Sequence, residues 1–141
     1  MLKIAFASND RERVNQHFGA AEGFAIFQVN AHGSALTGVA EFPEESMDGN
    51  ENKLNAKIDF LDGCAAVFVM AIGASAIKLL LAKGIQPIRI ADNDHIPSLL
   101  TELSEAIRVG GVQWVDRALA KAQTEKTSNR FANMEEEGWQ G

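Results

Sequence analysis

Cys64-Ala65-Ala66-Val67-Phe68-Val69-Met70 carries no charge and sits between Asp62-Gly63 and Gly73. A short uncharged run bounded by turn residues reads as a buried strand, which needs other elements packed over it. Its flanks supply them. Upstream, a helix is predicted from about Lys53 to Leu61, with Leu54, Ile58 and Leu61 spaced along one face. Downstream, Gly73-Ala74-Ser75 opens a second helix with Ile77, Leu80 and Leu81 inward and Gly84 as its stop. Gln86 to Ile90 is then a fifth strand. Pro97 suits the first turn of a third helix, carried by Leu99, Leu100, Leu103 and Ile107 and ended at Gly110. A short amphipathic helix, Trp114 to Ala122, closes the series.

Toward the N-terminus the pattern changes. Leu2 to Ala7 is a strand ended by Ser8-Asn9-Asp10, and a polar loop follows as far as Gly19. Phe24 to Val29 and Leu36 to Phe42 are strands joined by the hairpin Asn30-Ala31-His32-Gly33-Ser34. Pro43 to Asn52 is an acidic, turn-rich surface loop. The element order βββαβαβα, with a helical appendix, implies one mixed α/β sheet flanked by helices. Short connections make strands two and three antiparallel to their neighbours, and right-handed helical crossovers make strands one, four and five parallel. A ribonuclease-H-like, three-layer arrangement with five strands in the order 3-2-1-4-5 satisfies these constraints, though not uniquely. The domain is expected over residues 1–122, with a polar, acidic C-terminal tail over 123–141.

Composition narrows the function. The chain has 141 residues, 46% hydrophobic, enough for one domain with a sizeable core. No apolar run approaches the roughly 18 residues of a membrane span, and Met1-Leu2-Lys3 leads straight into a strand, so a cytoplasmic protein without signal peptide or anchor is expected. One cysteine excludes an internal disulfide and any multi-cysteine metal cage. A net charge of −6 argues against general nucleic-acid binding.

Ligands of open α/β sheets gather beyond the carboxyl ends of the strands, where the chain leaves neighbouring strands in different directions. With strands one and four adjacent, the loops Ser8–Gly19, Ala71–Gly73 and Ala91–His95 share that edge. His17, within Asn15-Gln16-His17-Phe18-Gly19, is the leading candidate ligand, and Asn15 lies in the same stretch. Backbone N–H groups at Gly73-Ala74-Ser75 could hold an anion, making Gly73 and Ser75 candidates. His95 is a second imidazole and Met70 a soft thioether. Each has an ordinary alternative. A loop histidine is commonly solvated, His95 suits a helix-start turn, Met70 suits core filling, and Gly73 suits a tight strand-to-helix junction without a phosphate-loop lysine. His32 lies in the hairpin on the opposite side. Cys64 has the better chemistry for iron but starts strand four, roughly 15 Å or more from His17, so the two cannot share one small cluster. Catalysis finds little support. Strand one lacks the carboxylate that a ribonuclease-H-like nuclease places there, and no nucleophile–base or dinucleotide motif occurs.

Several segments resemble the nitrogenase iron–molybdenum cofactor biosynthesis family, which includes NifX, NafY, NifY and the C-terminal part of NifB. They are Ala5-Phe6-Ala7-Ser8-Asn9-Asp10, Val14-Asn15-Gln16-His17-Phe18-Gly19, Leu61-Asp62-Gly63-Cys64, Ile72-Gly73-Ala74-Ser75-Ala76, Gly84-Ile85-Gln86-Pro87 and Trp114 with Ala118. Asp48-Gly49-Asn50-Glu51-Asn52-Lys53-Leu54 and the terminal Arg130-Phe131, Met134 and Glu137-Gly138-Trp139 point to the NifX branch. The resemblance implies a ribonuclease-H-like fold without nuclease or other enzymatic activity. It implies binding and transfer of iron–sulfur precursors of the iron–molybdenum cofactor: the NifB-derived cluster (NifB-co) and later forms, up to that cofactor itself. Implied partners are the NifE/NifN assembly scaffold, NifB and apo-dinitrogenase, and the implied metal ligand is His17. Many relatives have Gly where this chain has Arg11. Arg11 and Arg13 could place positive charge beside an anionic cluster, or form a solvated loop face. The acidic tail is a candidate scaffold contact, its alternative being a disordered terminus. The rival reading is a regulatory or interaction module of nitrogenase maturation that binds no cluster itself.

Overall fold

The computed structural model describes residues 1–42 and 51–122, the side chains of residues 51–53 excepted. The loop and tail features assigned above to Pro43–Asn50 and to residues 123–141 lie outside the described residues. The sheet has five strands: β1 (Leu2–Ala7), β2 (Gly23–Asn30), β3 (Gly33–Glu41), β4 (Ala66–Val69) and β5 (Gln86–Arg89). Their spatial order is 3-2-1-4-5. The β1–β2 and β2–β3 pairs are antiparallel, while β1–β4 and β4–β5 are parallel. Helices α1 (Glu51–Phe60), α2 (Ala74–Ala82) and α3 (Ile96–Val109) follow as expected. A fourth, α4, runs from residue 113 to 122, the last described residue.

Alternation along the central strands explains the layers. Ala5, Ala7, Val67 and Val69 face one core with Phe24, Ile58, Leu61, Ala76 and Leu80. Leu2, Ile4, Phe6, Ala66 and Phe68 face the other, with Leu99, Leu100, Leu103 and Val115. Successive side chains point to opposite faces, so a strand buried on both sides loads two cores at once. In the second core the Phe6 and Phe68 rings stack across the β1–β4 pair with centroids 5.1 Å apart.

Most boundaries shift by a residue or two, and three of the shifts have a local reason. β3 begins at Gly33, not Leu36, because Asn30 Oδ1 accepts the N–H groups of His32 (2.8 Å) and Gly33 (3.0 Å) and tightens the turn. β4 begins at Ala66, so Cys64 stands just before it; the Cys64 N–H is committed to the Leu61 carbonyl that ends the α1 turn. At its other end, Met70 leaves the ladder because its N–H donates to the Gln16 carbonyl at 3.0 Å. Gly84 does end α2: its φ is +76°, and its N–H, with those of Lys83 and Ile85, caps the carbonyls of Leu80 and Leu81.

Candidate functional site

The loop after β1 is stitched to the two loops beside it. The Val14 N–H donates to Asp94 O and the Ile96 N–H to Glu12 O, both at 2.8 Å, making an antiparallel bridge between Arg13 and His95. Farther along, the Phe18 N–H donates to Ala71 O at 2.9 Å, and His17 forms a parallel bridge with Ala71. The Asn15 N–H reaches back to Ala7 O at 3.2 Å. One loop therefore crosses the carboxyl ends of β1 and β4 and reaches the chain beyond β5. The three loops expected at this edge are brought together as one surface.

At its centre, His17 is held by the backbone and free at the side chain. Phe18 is 0% exposed and packs on Phe24, with ring centroids 5.6 Å apart. His17 itself is exposed, and among the described residues its imidazole has no hydrogen-bond or ion-pair partner. Met70, beside it across the bridge, is 41% exposed rather than core filling.

The other candidates divide. Gly73 is the N-cap of α2, with no side-chain cap and no acidic residue in the first turn. A Cβ at Gly73 would meet nothing within 4 Å. Ser75 is exposed, and the first-turn N–H groups of a helix have no carbonyl partner within it, a polarity that suits an anion. Arg11 is exposed and has no side-chain partner among the described residues. Its φ of 65° lies in the left-handed region that glycine adopts more readily than any other residue. Arg13 is engaged, its Nη1 lying 2.6 Å from Asp94 Oδ1. Asn15 is engaged too, donating to Asn9 Oδ1 at 2.8 Å. His95 is exposed at the N-cap of α3 and makes no capping hydrogen bond.

Two residues that hold the loop were not singled out in sequence. Asp10 Oδ1 accepts the N–H groups of Glu12 (2.8 Å) and Arg13 (2.9 Å) and the Ser8 hydroxyl (3.1 Å). The backbone donors, first Arg13 and then Glu12, draw its carboxyl below the usual range. Lys57 is 4% exposed and donates from Nζ to the Gly19 carbonyl at 2.8 Å, bracing the end of the His-Phe-Gly segment from α1. Its signal was available, since it stands three residues after Leu54 and four before Leu61 on the apolar face of that helix.

Among the described residues no three His, Cys, Asp or Glu side chains converge to hold a metal ion. Among the described residues the edge offers two exposed imidazoles, His17 and His95, the backbone donors of the α2 first turn and the unpaired Arg11 guanidinium. Cys64 lies elsewhere: 4% exposed and seven residues before Ala71 along the β4 direction, about 20 Å from the His17 bridge. Burial pushes its thiol up to about 11. A cavity of about 370 Å³ is also distant from this edge, lying between the β2–β3 hairpin and α3 with the exposed His32 on its rim. No helix among the described residues is long and apolar enough to cross a membrane.

Residues 1–106 match the family model described as dinitrogenase iron–molybdenum cofactor. Protein NifX of Azotobacter vinelandii is 46% identical over 139 residues, 99% of this chain and 87% of that protein. Protein NifX of Herbaspirillum seropedicae is 33% identical over 137 residues, 96% of this chain and 90% of that protein. The crystal structure of PH0822 superposes with a TM-score of 0.54 at 20% identity, covering 74% of this chain and 87% of that one, a likeness of fold.

Proposed function

The chain belongs to the dinitrogenase iron–molybdenum cofactor family of nitrogen fixation, in its NifX branch, and we propose that it is a non-enzymatic carrier of iron–sulfur precursors of that cofactor. In this reading it accepts the NifB-derived cluster, or a later form, and exchanges it with the NifE/NifN scaffold. The observation that supports it is the state of His17: a backbone pinned by the bridge to Ala71 and the buried Phe18, and an imidazole left in solvent.

A carrier must hold its cargo and then let go. A closed set of thiolates would hold an iron–sulfur cluster too firmly for transfer, whereas one imidazole ligand leaves most of the cluster surface to the next protein. The nitrogen lone pair of His17 would bond one iron. The first-turn N–H groups of α2 at Gly73-Ala74-Ser75 and the Arg11 guanidinium would offset the negative charge of the cargo. Arg13, Asn15 and His95 contribute by shaping the loop, with His95 a second exposed imidazole on the same edge.

The test is anaerobic mixing of purified protein with the isolated NifB-derived cluster, followed by size exclusion with detection of iron absorption. Co-elution of iron with the protein is expected. Iron that elutes wholly apart would discard the carrier and favour the interaction module that binds no cluster.

A further inference from the structure

The two edges of the sheet are built differently. At one, β5 is four residues long and holds Pro87, which has no N–H to offer a further strand. At the other, β3 is nine residues long, and from Ser34 to Ala40 it carries neither charge nor proline. Among the described residues nothing pairs with its outer side. An edge of that kind is a template for another strand. We propose that β3 pairs antiparallel with β3 of a second copy of this chain, joining two sheets into one across a two-fold axis.

The one irregularity in β3 argues for that partner. Phe27 lies opposite Leu36 and Ile26 opposite Gly38, which leaves Thr37 as a bulge, its hydroxyl donating to Ile26 O at 3.2 Å. In a regular strand, residues three apart point to opposite faces. Here the bulge turns Leu36 and Val39 to the same face, that of α3. Leu36 is opposite Phe27, which packs on the α3 core. Val39 is opposite Ala25, whose neighbours Phe24 and Ile26 face the other core. Both side chains are exposed, at 47% and 37%. A two-fold axis beside Thr37 and Gly38 sets Leu36 against the partner's Val39, and Val39 against the partner's Leu36. Both strands are bulged at the same point, so the irregularity matches itself. A different strand would have to reproduce the bulge to cover both side chains.

Charge fits the same register. It sets the partner's Glu41 opposite Ser34, on the rim of the cavity between the β2–β3 hairpin and α3. Glu41 stands two residues beyond Val39 and so points to the α3 face as well. His32, Glu105 and Arg108 line that cavity, all exposed and none ion-paired among the described residues. The carboxylate of each copy thus approaches the free Arg108 guanidinium of the other. The two Glu41 side chains fall at opposite ends of the pairing, so no like charges face each other across it. Antiparallel pairing also sends the two His17 edges to opposite ends of the joined sheet, both open.

The test is sedimentation equilibrium of the full chain over a wide range of concentration. A monomer–dimer equilibrium is expected. Val39→Lys should weaken the dimer about tenfold or more, with circular dichroism unchanged, because an ammonium would be buried at each of two symmetric contacts. Glu41→Arg and Arg108→Glu should each weaken it, and the chain carrying both changes should dimerise as wild type does. A monomer at every concentration would overturn the proposal, leaving the edge to a strand of some other protein. Association that continues past the dimer would overturn it too, since a closed two-fold contact cannot propagate. A dimer indifferent to Val39→Lys would place the interface elsewhere, and a double variant no tighter than either single one would refute the register.

Discussion

His17 and Cys64 are the two side chains best suited by type to bind iron, and they stand at opposite ends of the same strand pair. His17 lies beyond the carboxyl end of β4, exposed, on a backbone clamped by hydrogen bonds to Ala71 and Met70. Cys64 lies before the amino end of β4, buried among Leu61, Val67 and Ile85, with its thiol pushed up to about 11. The softer ligand is the inert one. Softness matters only after access and charge state are granted, and the fold grants them to one end of the sheet alone.

The contrast can be pressed by removing what each end depends on. Phe18 fastens the His17 loop to the core, and Phe18→Ala should cost about 3–5 kcal/mol in urea unfolding, the usual range for an emptied aromatic site. A loss under about 1 kcal/mol would mean that the loop is not seated as described.

The next effect belongs to Cys64. Its folded-state pKa is raised by burial from 9.0 to about 11, so between those values the unfolded chain releases a proton that the folded chain keeps. The resulting stability is fully present below pH 9 and lost as pH rises toward 11, up to about 2–3 kcal/mol. Lysines titrate nearby, so the readout is the difference between wild type and Cys64→Ala: the variant's stability should fall less over this window. Identical slopes would show the thiol to be solvated after all.

Smaller still is Arg11→Gly. Relief of the left-handed backbone, worth roughly 1–2 kcal/mol, is offset by the greater freedom glycine has in the unfolded chain, leaving a net gain of about 1 kcal/mol or less. The same change removes the unpaired Arg11 guanidinium from the edge, so any cluster binding should weaken while stability does not. A variant that binds as wild type does would take Arg11 out of the site.

Much of the architecture could be read from residue pattern. The short, mostly apolar Leu2–Ala7 and the uncharged run around Val67 and Phe68 implied doubly buried strands, and the connection lengths were compatible with the order 3-2-1-4-5 that the sheet has. The site was legible only in outline. Position after β1 picked out His17, but the bridge joining Arg13 to His95 spans 82 residues of sequence and follows from no local rule. Pairing between loops leaves no periodicity to read. The same holds for Asn15 and Arg13, whose side chains turn to Asn9 and Asp94. Arg11 in a left-handed turn and Lys57 buried beneath Gly19 run against the habits of their residue types, and only the packing around them makes sense of it.

In the proposed function the cargo is held at the His17 end and not at the Cys64 end. The direct test is the iron retained per chain after anaerobic loading with the NifB-derived cluster, compared among wild type, His17→Ala and Cys64→Ala. His17 is exposed and has no side-chain partner among the described residues, so His17→Ala should keep its fold within about 0.5 kcal/mol and still lose most of the bound iron. Cys64→Ala should retain the wild-type amount. Wild-type binding by His17→Ala, or release of the iron from a folded chain by removal of Cys64, would contradict the proposed function.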